Sequence, residues 1–404
     1  MMLRTLLAIW HLFCIFEWTE RIRILRKKQM DNVEFDVTIV GGGPAGTTAA
    51  IHLARGGFRV CLVEKETHPR IKVCGGGVLA RAVQLLPVSV ETAVEQRCDR
   101  VEIHFWGKEL AFCGKRDNPI IYMVMRAEMD ALLMGEAKRC GVTVLENCQA
   151  RDLARESGHV ALHTDRDTIS SRFLIAADGV YSVVAQSGGW EVNMGAIPAV
   201  ECEVSVDPAT FERFKGRARF DLDLPRTGYS WIFPKKDHLS IGVLNMSREG
   251  GGLRELLHEY LEGMDIRYSP PLKLRGAMIP VRPRTGAPVK GRILLVGDAA
   301  GLAEPICAEG ITNALRSGIL AAKAIAEGGL DPEKVASKYI GEMEKVYREL
   351  EIAGHHARVI YGSRPLRNLL FRLKGEKFCD RLIDVMTGEM EFNSFGGPLR
   401  LFFG

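Results

Sequence analysis

Short runs of β-branched and apolar residues that end in glycine mark the predicted strands of a parallel sheet. One run covers residues 35–40 and breaks into a glycine-rich turn at 41–46, and another covers 58–63. The small residues at 47–55 between them predict a helix. Strand, helix and strand in this order form a βαβ unit, which usually founds a parallel sheet.

Two later apolar runs extend this sheet. Residues 174–177 and 292–296 have the pattern of buried strands, and the second run leads into a helix predicted over 310–326. Between them, residues 201–243 are rich in strand-forming residues, are interrupted by Gly and Pro, and show no long helical pattern. We therefore expect a separate antiparallel sheet inserted into the parallel domain.

The remaining segments complete the predicted architecture. Residues 101–112 alternate as one strand should, residues 127–140 carry apolar residues at helical spacing, and residues 331–404 predict helices with basic and apolar faces. At 404 residues the chain is long enough for two or three packed units with a cleft between them.

Composition and charge exclude several classes of function. The net charge of +4 is mild and the basic residues alternate with acids, which gives no footprint for nucleic acid. Ten cysteines are scattered singly, without the spacing of a metal site or a disulfide framework. We therefore expect no metal and no nucleic acid, and a reducing, cytoplasmic setting.

The chain begins with an apolar stretch at residues 3–18 that is followed by a basic run at 21–28. The stretch is shorter than the ~20 apolar residues that span a bilayer. Two interpretations stay open: a helix lying on a membrane surface, or a start codon placed too early, since Met30-Asp31 immediately precedes the first strand.

The glycine-rich turn carries a dinucleotide-binding fingerprint, Gly41-x-Gly43-x-x-Gly46. The first glycine permits the tight turn, the second lets the backbone approach a pyrophosphate, and the third lets helix and strand pack closely. Glu64 ends the second strand at the distance expected for an acceptor of a ribose 2′-OH. The pattern predicts FAD or NAD, not NADP, with a plain turn beside an exposed acid as the alternative.

A second motif, Gly297-Asp298, follows the last predicted strand and precedes a helix start at Gly310 and Ile311. An acid here can accept a hydrogen bond from a ribityl hydroxyl, and the backbone of the helix start can stabilise negative charge on a flavin ring. By itself, a Gly-Asp pair after a strand is most often a turn. Together with the fingerprint, it favours a flavin over a simple NAD dehydrogenase.

The order of the motifs resembles the flavin fold of p-hydroxybenzoate-hydroxylase-like enzymes. These motifs are the fingerprint, Arg126-x-x-x-Asp130, Ala176-x-Asp178-Gly179 and Gly297-Asp298. Within that fold, the chain resembles the geranylgeranyl reductase family from residue 35 to about residue 390. The two marks of that family are Lys72-x-Cys74-Gly75-Gly76-Gly77 and Tyr229-x-Trp231-x-Phe233-Pro234-Lys235. One departure is Ala308 before Glu309-Gly310, where the family usually has Gly-Glu-Gly.

The resemblance implies a set of positions that contact FAD. Carried over by motif, or for Ala150 by its place after a strand, they are Gly41, Gly43, Ala45, Gly46, Glu64, Cys74, Gly75, Gly77, Arg126, Ala150, Asp298, Gly310 and Ile311. Cys74 is also a candidate catalytic residue that helps to position or protonate the substrate. The alternative for Cys74 is a small buried residue beside a turn.

Three aromatic residues alternate on one predicted strand. Tyr229, Trp231 and Phe233 therefore point to the same face. Such a face can line a hydrophobic channel for a flexible polyene, or it can simply be sheet core. Because Pro234-Lys235 follows as in the family, we predict that the three residues bind substrate.

The expected fold class is α/β, with a Rossmann-like FAD-binding domain, an inserted antiparallel β-sheet substrate domain and C-terminal helices. The predicted ranges are 1–31 for an N-terminal extension, 32–100, 126–190 and 276–330 for the FAD-binding domain, 101–125 and 191–275 for the substrate-binding sheet domain, and 331–404 for the C-terminal helical region.

The resemblance implies an FAD-dependent reductase that hydrogenates C=C bonds of a polyprenyl chain on a lipid, quinone or diphosphate. Since no second nucleotide fingerprint is present, the electron donor stays open among NAD(P)H, ferredoxin and a quinol. The same fold supports two alternatives: an FAD-dependent monooxygenase of a hydrophobic substrate, and a flavin protein for electron transfer or lipid binding without catalysis.

A prenyl-lipid or prenyl-diphosphate substrate also implies peripheral contact with a membrane surface. Four basic residues lie among apolar positions near the C-terminus, namely Arg358, Arg364, Arg367 and Arg372. For most of them we expect a solvated helix face. Contact with anionic headgroups at the channel mouth is the alternative.

Overall fold

A computed structural model describes residues 33–191, 195–247, 251–268, 271–395 and 399–403. The predicted N-terminal extension, residues 1–31, lies outside the described residues. The described strands are β1 (Phe35–Val40), β2 (Val60–Val63), β3 (Gly77–Leu79), β4 (Val94–Cys98), β5 (Arg100–Phe105), β6 (Ala111–Lys115), β7 (Ile121–Val124), β8 (Thr143–Leu145), β9 (Ala150–Arg155), β10 (Val160–Thr164), β11 (Thr168–Ala176), β12 (Ala196–Ser205), β13 (Arg217–Leu222), β14 (Gly228–Pro234), β15 (His238–Asn245), β16 (Arg275–Pro280), β17 (Val289–Lys290) and β18 (Ile293–Leu295).

The helices alternate with strands in the first half and dominate the end of the chain. They are α1 (Pro44–Arg55), α2 (Ala80–Val83), α3 (Arg126–Arg139), α4 (Val183–Ser187), α5 (Pro208–Phe214), α6 (Leu253–Gly263), α7 (Gly297–Ala300), α8 (Ile311–Gly328), α9 (Pro332–Gly362), α10 (Arg364–Thr387) and α11 (Arg400–Phe403), with 3-10 turns at Glu91–Ala93 and Phe392–Phe395. None of the described helices is long and apolar enough to cross a bilayer.

An eight-stranded sheet forms the nucleotide-binding half of the fold. Its main order is β17-β18-β11-β1-β2-β8, and β1 runs parallel to both β2 and β11. Strands β9 and β10 continue it beyond β11 as an antiparallel hairpin. Val37 and Ile39 of β1 are fully buried, as expected for the centre of a parallel sheet covered on both faces.

The second large sheet has seven strands and is mostly antiparallel; five of them, β12 to β16, lie between β11 and β18 in the chain, and β5 and β6 come from before β11. Its order is β16-β12-β15-β14-β13-β5-β6, with β13 parallel to β5. One face is apolar and packs on α6, where Ile232, Ile241 and Leu257 are fully buried. The predicted α/β fold with an inserted antiparallel sheet and C-terminal helices is therefore confirmed.

The segment at 101–112 forms two strands, not the one strand that its alternation predicted. Strands β5 and β6 pair as an antiparallel hairpin, because the chain turns at Gly107 with φ of +67°. A third, small sheet of β3, β7 and β4 bridges the two halves. Its strands come from both sides of the predicted boundary at residue 100, and the division into domains stays a prediction.

The C-terminal helices close the molecule over both sheets. Helix α8 packs along α1, and a Cβ on Gly318 would lie 2.4 Å from the backbone oxygen of Ala45, so only glycine allows this contact. Helices α9 and α10 are separated by a break at Ser363, and α10 itself kinks at Lys374. Residues 311–328 therefore pack on α1, the helix that directly follows the glycine-rich turn.

Candidate functional site

The glycine-rich turn after β1 forms an open cradle at the N-terminus of α1. Gly41 has φ of +108°, and a Cβ there would lie 2.2 Å from the Ala177 oxygen. A Cβ on Gly46 would lie 2.0 Å from the Gly41 oxygen. Above Gly43, in contrast, the nearest atom is Arg70 Nη2 at 3.8 Å. The turn therefore leaves space over the second glycine and free N–H groups at a helix start, which fits a pyrophosphate.

Unsatisfied polar groups surround this cradle, although the sequence patterns did not indicate them. Neither ring nitrogen of His68, whose side chain is buried, makes a hydrogen bond among the described residues, and the same holds for Arg70 Nε. Each side chain does have a carboxylate nearby: His68 Nδ1 lies 3.4 Å from Glu146 Oε1, and Arg70 Nη2 lies 3.3 Å from Asp130 Oδ2. A Cβ on Gly42 would lie 3.0 Å from the His68 ring, so both side chains border the turn. Because buried polar atoms normally make hydrogen bonds, the unused donors of these two side chains fit an anionic ligand such as the FAD phosphates.

Glu64 is fixed at the end of β2, as predicted. Its Oε2 accepts a hydrogen bond from Gly42 N at 2.7 Å and its Oε1 accepts one from Glu66 N at 3.0 Å. A carboxylate has further lone pairs, so Glu64 can still accept from a ribose hydroxyl. Its role as a contact of FAD stays a prediction.

Arg70→Gln is expected to weaken FAD binding by about ten- to a hundredfold, since a charge-assisted hydrogen bond contributes about 1.5–3 kcal/mol. Titration of the apoprotein with FAD, followed by flavin fluorescence, measures the change. Arg139→Gln on the exposed side of α3 is the matched control. An unchanged affinity in Arg70→Gln would remove this side chain from the cofactor site.

Asp298 and the start of α8 lie side by side at the carboxyl end of β18. A Cβ on Gly310 would lie 3.3 Å from Asp298 Oδ1, and Gly297 N donates to Ser317 Oγ at 2.9 Å. Ala308 adopts φ of +53°, a left-handed conformation that favours glycine. This chain therefore holds an alanine in a backbone conformation that suits glycine, at the position where the family usually has glycine.

The loop at residues 72–77, here called the cysteine loop, is anchored by two side chains from the inserted sheet. Cys74 N donates to Glu201 Oε1 at 2.9 Å. Lys235 Nζ donates to the Gly75 oxygen at 2.7 Å and to the Val124 oxygen at 2.9 Å. Lys235 is fully buried, and burial lowers the pKa of this amine. Lys235, from the aromatic family motif, thus holds the cysteine loop, which is the other family motif.

The cysteine loop packs directly on the aromatic face, the side chains of Tyr229, Trp231 and Phe233. A Cβ on Gly75 would lie 3.0 Å from both Phe233 Cδ2 and Trp231 Nε1. Trp231 Nε1 is buried and has no hydrogen-bond partner among the described residues. The Tyr229 hydroxyl donates to the Cys307 oxygen. The structure therefore brings the predicted substrate residues and the predicted flavin loop into contact.

Glu201 is a buried carboxyl group on the same face, which the sequence patterns did not single out. Across the strands it pairs with Gly242, which in turn pairs with Trp231. Burial raises the pKa of Glu201 to about 7, and Glu203 adds to this, while the hydrogen bond from Cys74 N opposes it. Near neutral pH the group can therefore hold or release a proton.

Two cavities lie on this sheet face. The large cavity, of about 450 Å³, adjoins β12 and β16, and its wall includes Lys72, Cys74, Arg126, Glu201, Tyr268 and Arg275. A narrow apolar cavity of about 30 Å³ adjoins β13 and β14, and its wall includes Phe220, Tyr229, Cys307, Tyr361 and Phe371. In the strand order, β15 and β14, which carries Trp231, lie between β12 beside the large cavity and β13 beside the apolar cavity. The aromatic face thus lies between the large cavity, whose wall carries charged side chains, and the narrow apolar cavity.

Arg126, predicted to contact FAD, is buried at the start of α3. It forms a bidentate pair with Asp130, with both contacts at 2.9 Å. Burial lowers the pKa of Arg126, but the charge and hydrogen bonds of Asp130, together with those of Cys74, outweigh this and the pKa is raised overall. The guanidinium therefore stays charged at the wall of the large cavity.

For four of the residues predicted to contact FAD, the structure shows packing within the fold and no feature specific to a cofactor. Ala45 lies inside the packed contact of α1 with α8, and Gly77 begins β3. Ala150 begins β9 and is packed in the core of the nucleotide-binding half. Ile311 is buried at the first turn of α8. Their contacts with FAD stay predictions.

Arg367 is an exception to the solvated face expected for most of the four arginines. This side chain is fully buried and donates to Asp223 Oδ1, because the helix turns it inward against β13. Arg364 Nε also lies 2.9 Å from Asp223 Oδ1. The pattern misled because a long basic side chain on a helix is far more often exposed than paired in a core.

Residues 34–230 match the family of FAD binding domains. A digeranylgeranylglycerophospholipid reductase 2 of Methanothermobacter thermautotrophicus is 28% identical over 370 residues, covering 85% of this chain and 93% of that protein. A chloroplastic geranylgeranyl diphosphate reductase of Arabidopsis thaliana is 26% identical over 397 residues, covering 91% and 81%.

Solved structures share the fold. A geranylgeranyl bacteriochlorophyll reductase-like protein of Thermoplasma acidophilum superposes with a TM-score of 0.74 at 22% identity, covering 87% of this chain and 91% of that one. A flavin-dependent halogenase superposes with a TM-score of 0.68 at 21% identity, covering 88% and 72%. At these identities the likeness shows the fold alone.

The fold and the family match together define the class: the chain is an FAD-binding flavoprotein and an FAD-dependent oxidoreductase. Within that class its relatives include the geranylgeranyl reductases. The resemblance that the two motifs indicate is therefore confirmed.

Proposed function

We propose that the protein hydrogenates C=C bonds of a polyprenyl chain carried on a lipid, quinone or diphosphate. The observation that carries the proposal is the contact of the cysteine loop with the aromatic face, beside an apolar cavity. An alkene chain laid along that face would lie next to the loop predicted to contact the flavin. The names of the two relatives given above support a prenyl substrate.

An isolated alkene is not polarised, so its reduction needs a hydride at one carbon and a proton at the other. Bound, reduced FAD would supply the hydride. The residues that fit its phosphates and ribose are those of the cradle and of the strand ends, Gly43, Glu64, Arg70 and Asp298. The aromatic face aligns the chain and excludes water from it.

The proton, we infer, comes from the Glu201 carboxyl group. It lies on the same sheet face as Trp231, borders the large cavity, and accepts the Cys74 N–H through Oε1. Its raised pKa keeps a substantial fraction protonated near pH 7. In this mechanism Cys74 contributes to the shape of the loop that Glu201 holds. The thiol of Cys74 does not need to transfer a proton.

We also propose how the electron donor binds, where the protein works and which half of the fold binds which ligand. The electron donor binds transiently, as NAD(P)H, ferredoxin or a quinol, because the chain carries a single nucleotide fingerprint. The substrate resides in or at a membrane, so the protein works at a membrane surface. The division of labour between an FAD-binding domain and a substrate-binding sheet follows the two halves of the fold.

An anaerobic half-reaction tests the function. The purified protein is reduced with dithionite, geranylgeranyl diphosphate or a prenylated lipid extract is added, and flavin absorbance and product mass are followed. Reoxidation with a gain of two hydrogens per alkene is the expected result. A flavin that stays reduced until oxygen enters, with a hydroxylated product, would identify a monooxygenase. Tight lipid binding with no mass change would identify a binding protein.

A further inference from the structure

Helix α10 exposes apolar side chains on its outer side, which is unusual for a helix that is already packed on a core. Leu366, Leu369 and Leu373 are 43%, 54% and 60% exposed, and their spacing places them along one side of the helix. These three residues are here called the leucine row. The inner side of the same turns carries Leu370 and Phe371, both buried. A contiguous exposed apolar row of this kind indicates a surface that binds something.

The helix is fixed so that the leucine row cannot turn inward. Arg367 is fully buried and pairs with Asp223, and Arg364 lies 2.9 Å from the same carboxylate. Phe371 packs edge-on against Phe105, with ring centroids 5.0 Å apart. A rotation that buried the leucines would break this buried ion pair and expose the phenylalanine. The outward position of the row is therefore built into the fold.

The chain segment that contains the leucine row is strongly basic. The segment 358–377 contains six Arg or Lys residues and one acid, Glu376. Apart from the two arginines that pair with Asp223, the basic residues are exposed, and within the described ranges none of them forms an ion pair: Arg358, Arg372, Lys374 and Lys377. Leucines that insert and cations that stay at headgroup level are the two parts of a surface that binds an anionic membrane.

The apolar cavity lies behind this surface. Phe371 and Phe378 of α10 and Tyr361 of α9 belong to its wall, on the inner side of the helix that carries the leucine row outside. The thickness of a helix with its side chains is about 10 Å. A membrane in contact with the row would thus lie about one helix diameter from the apolar cavity.

We propose that the leucine row, with the exposed cations of the same chain segment, Arg358, Arg372, Lys374 and Lys377, docks on an anionic lipid bilayer and places the wall of the apolar cavity close to it. The delivery of a prenyl chain rests on the proposed function, but the docking itself does not. A second copy of the chain is a poorer occupant, because it would bring two clusters of like charge together. Three leucines also fall far short of the ~1,000 Å² that a stable protein interface buries.

Vesicle flotation of the full chain without substrate tests the docking. With phosphatidylcholine vesicles containing 30% phosphatidylglycerol, a composition on the order used to mimic anionic surfaces, the wild type is expected to float. The triple variant Leu366→Gln, Leu369→Gln, Leu373→Gln is expected to lower the partition coefficient at least tenfold. Ile340→Gln and Tyr181→Gln, which replace exposed apolar residues outside the row, are the matched controls and should float as the wild type does.

A second variant separates charge from apolar insertion. Arg372→Gln, Lys374→Gln, Lys377→Gln should weaken binding to the anionic vesicles several-fold and should remove most of its dependence on salt. Its flavin absorbance and thermal unfolding should match those of the wild type, which verifies the fold.

Two results would overturn the proposal. One is undiminished flotation of the triple leucine variant, which would assign membrane binding to another segment such as residues 3–18. The other is a wild type that does not float but dissociates from a dimer when the leucines are replaced, as seen by sedimentation velocity. Since no turnover is measured, neither result depends on whether the protein is a prenyl reductase.

Discussion

Glu201→Gln is expected to lower the rate of alkene reduction by about two orders of magnitude or more, because a positioned general acid contributes about 10²–10⁴-fold. Glutamine keeps a carbonyl oxygen that can accept the Cys74 N–H, so the cysteine loop should stay in place. Stopped-flow reoxidation of the reduced flavin by substrate measures the effect. FAD affinity and the flavin spectrum should remain those of the wild type.

The pH profile gives a second readout for Glu201. The pKa of this acid is raised to about 7, so the protonated form prevails below that pH and the wild-type rate should fall as the pH rises above it. Glu201→Gln should lose this limb. Because a raised carboxyl pKa stabilises the folded state at low pH and this stabilisation is lost as the pH rises through the folded pKa, the variant should melt higher than the wild type at pH 8.

Glu203→Gln is the matched control, since it removes the next carboxylate on the same strand face without touching the bond from Cys74. It should retain the wild-type rate within a few-fold below pH 7, with the pH limb kept but moved to lower pH, because the charge of Glu203 contributes to the raised pKa of Glu201. If Glu201→Gln reduced substrate at the wild-type rate with an unchanged pH profile, the proton would have to come from elsewhere, and Glu201 would only hold the loop.

Asp223→Ala is expected to cost about 3–5 kcal/mol of unfolding free energy, because it leaves the fully buried Arg367 without its counter-charge. Lys108, with Nζ at 2.6 Å, loses the same partner. Burial raises the pKa of Asp223, but the hydrogen bonds from Lys108 and Arg367 outweigh this, so the pKa is lowered overall. The carboxylate therefore stabilises the fold at neutral pH, and this contribution is lost as the pH falls through that lowered pKa. Chemical denaturation at pH 7 followed by circular dichroism measures the loss.

Two comparisons make the Asp223 result specific. Asp380→Ala removes an exposed carboxylate that pairs with Arg116, and it should cost less than about 1 kcal/mol. The double variant Asp223→Asn, Arg367→Met removes both buried charges and should be more stable than Asp223→Ala alone. Equal stability of Asp223→Ala and Asp380→Ala would mean that the buried pair does not hold α10 in place.

The sequence was sufficient for features that are local or periodic. The glycine fingerprint, the strand ends at Glu64 and Asp298 and the alternating aromatic residues each follow from a short stretch with its own physical reason. The hairpin of β5 and β6 was missed because its turn interrupts an alternation that otherwise continues. In the sequence, Gly107 was the one sign of this turn that we point to.

Groups that act through distant contacts were not predictable in this way. Glu201 meets Cys74 across 127 positions, and Lys235 meets Gly75 across 160. Arg70 borders the phosphate cradle only because its loop folds back over the turn. No periodicity links such partners, so a single sequence gives no reason to pair them, and Arg367 shows that a pattern of charge can even indicate the wrong environment.

The packing of α8 on α1 also sets an order of events during synthesis. Helix α1 is complete by residue 55, but its partner, with the close contact at Gly318, is not made until residues 311–328 leave the ribosome. Asp298 and Gly310 emerge equally late. A nascent chain therefore carries an incomplete cofactor cleft for more than two hundred residues of elongation, and a protein truncated before α8 should retain FAD far less tightly, because the helix that packs on α1 is then missing.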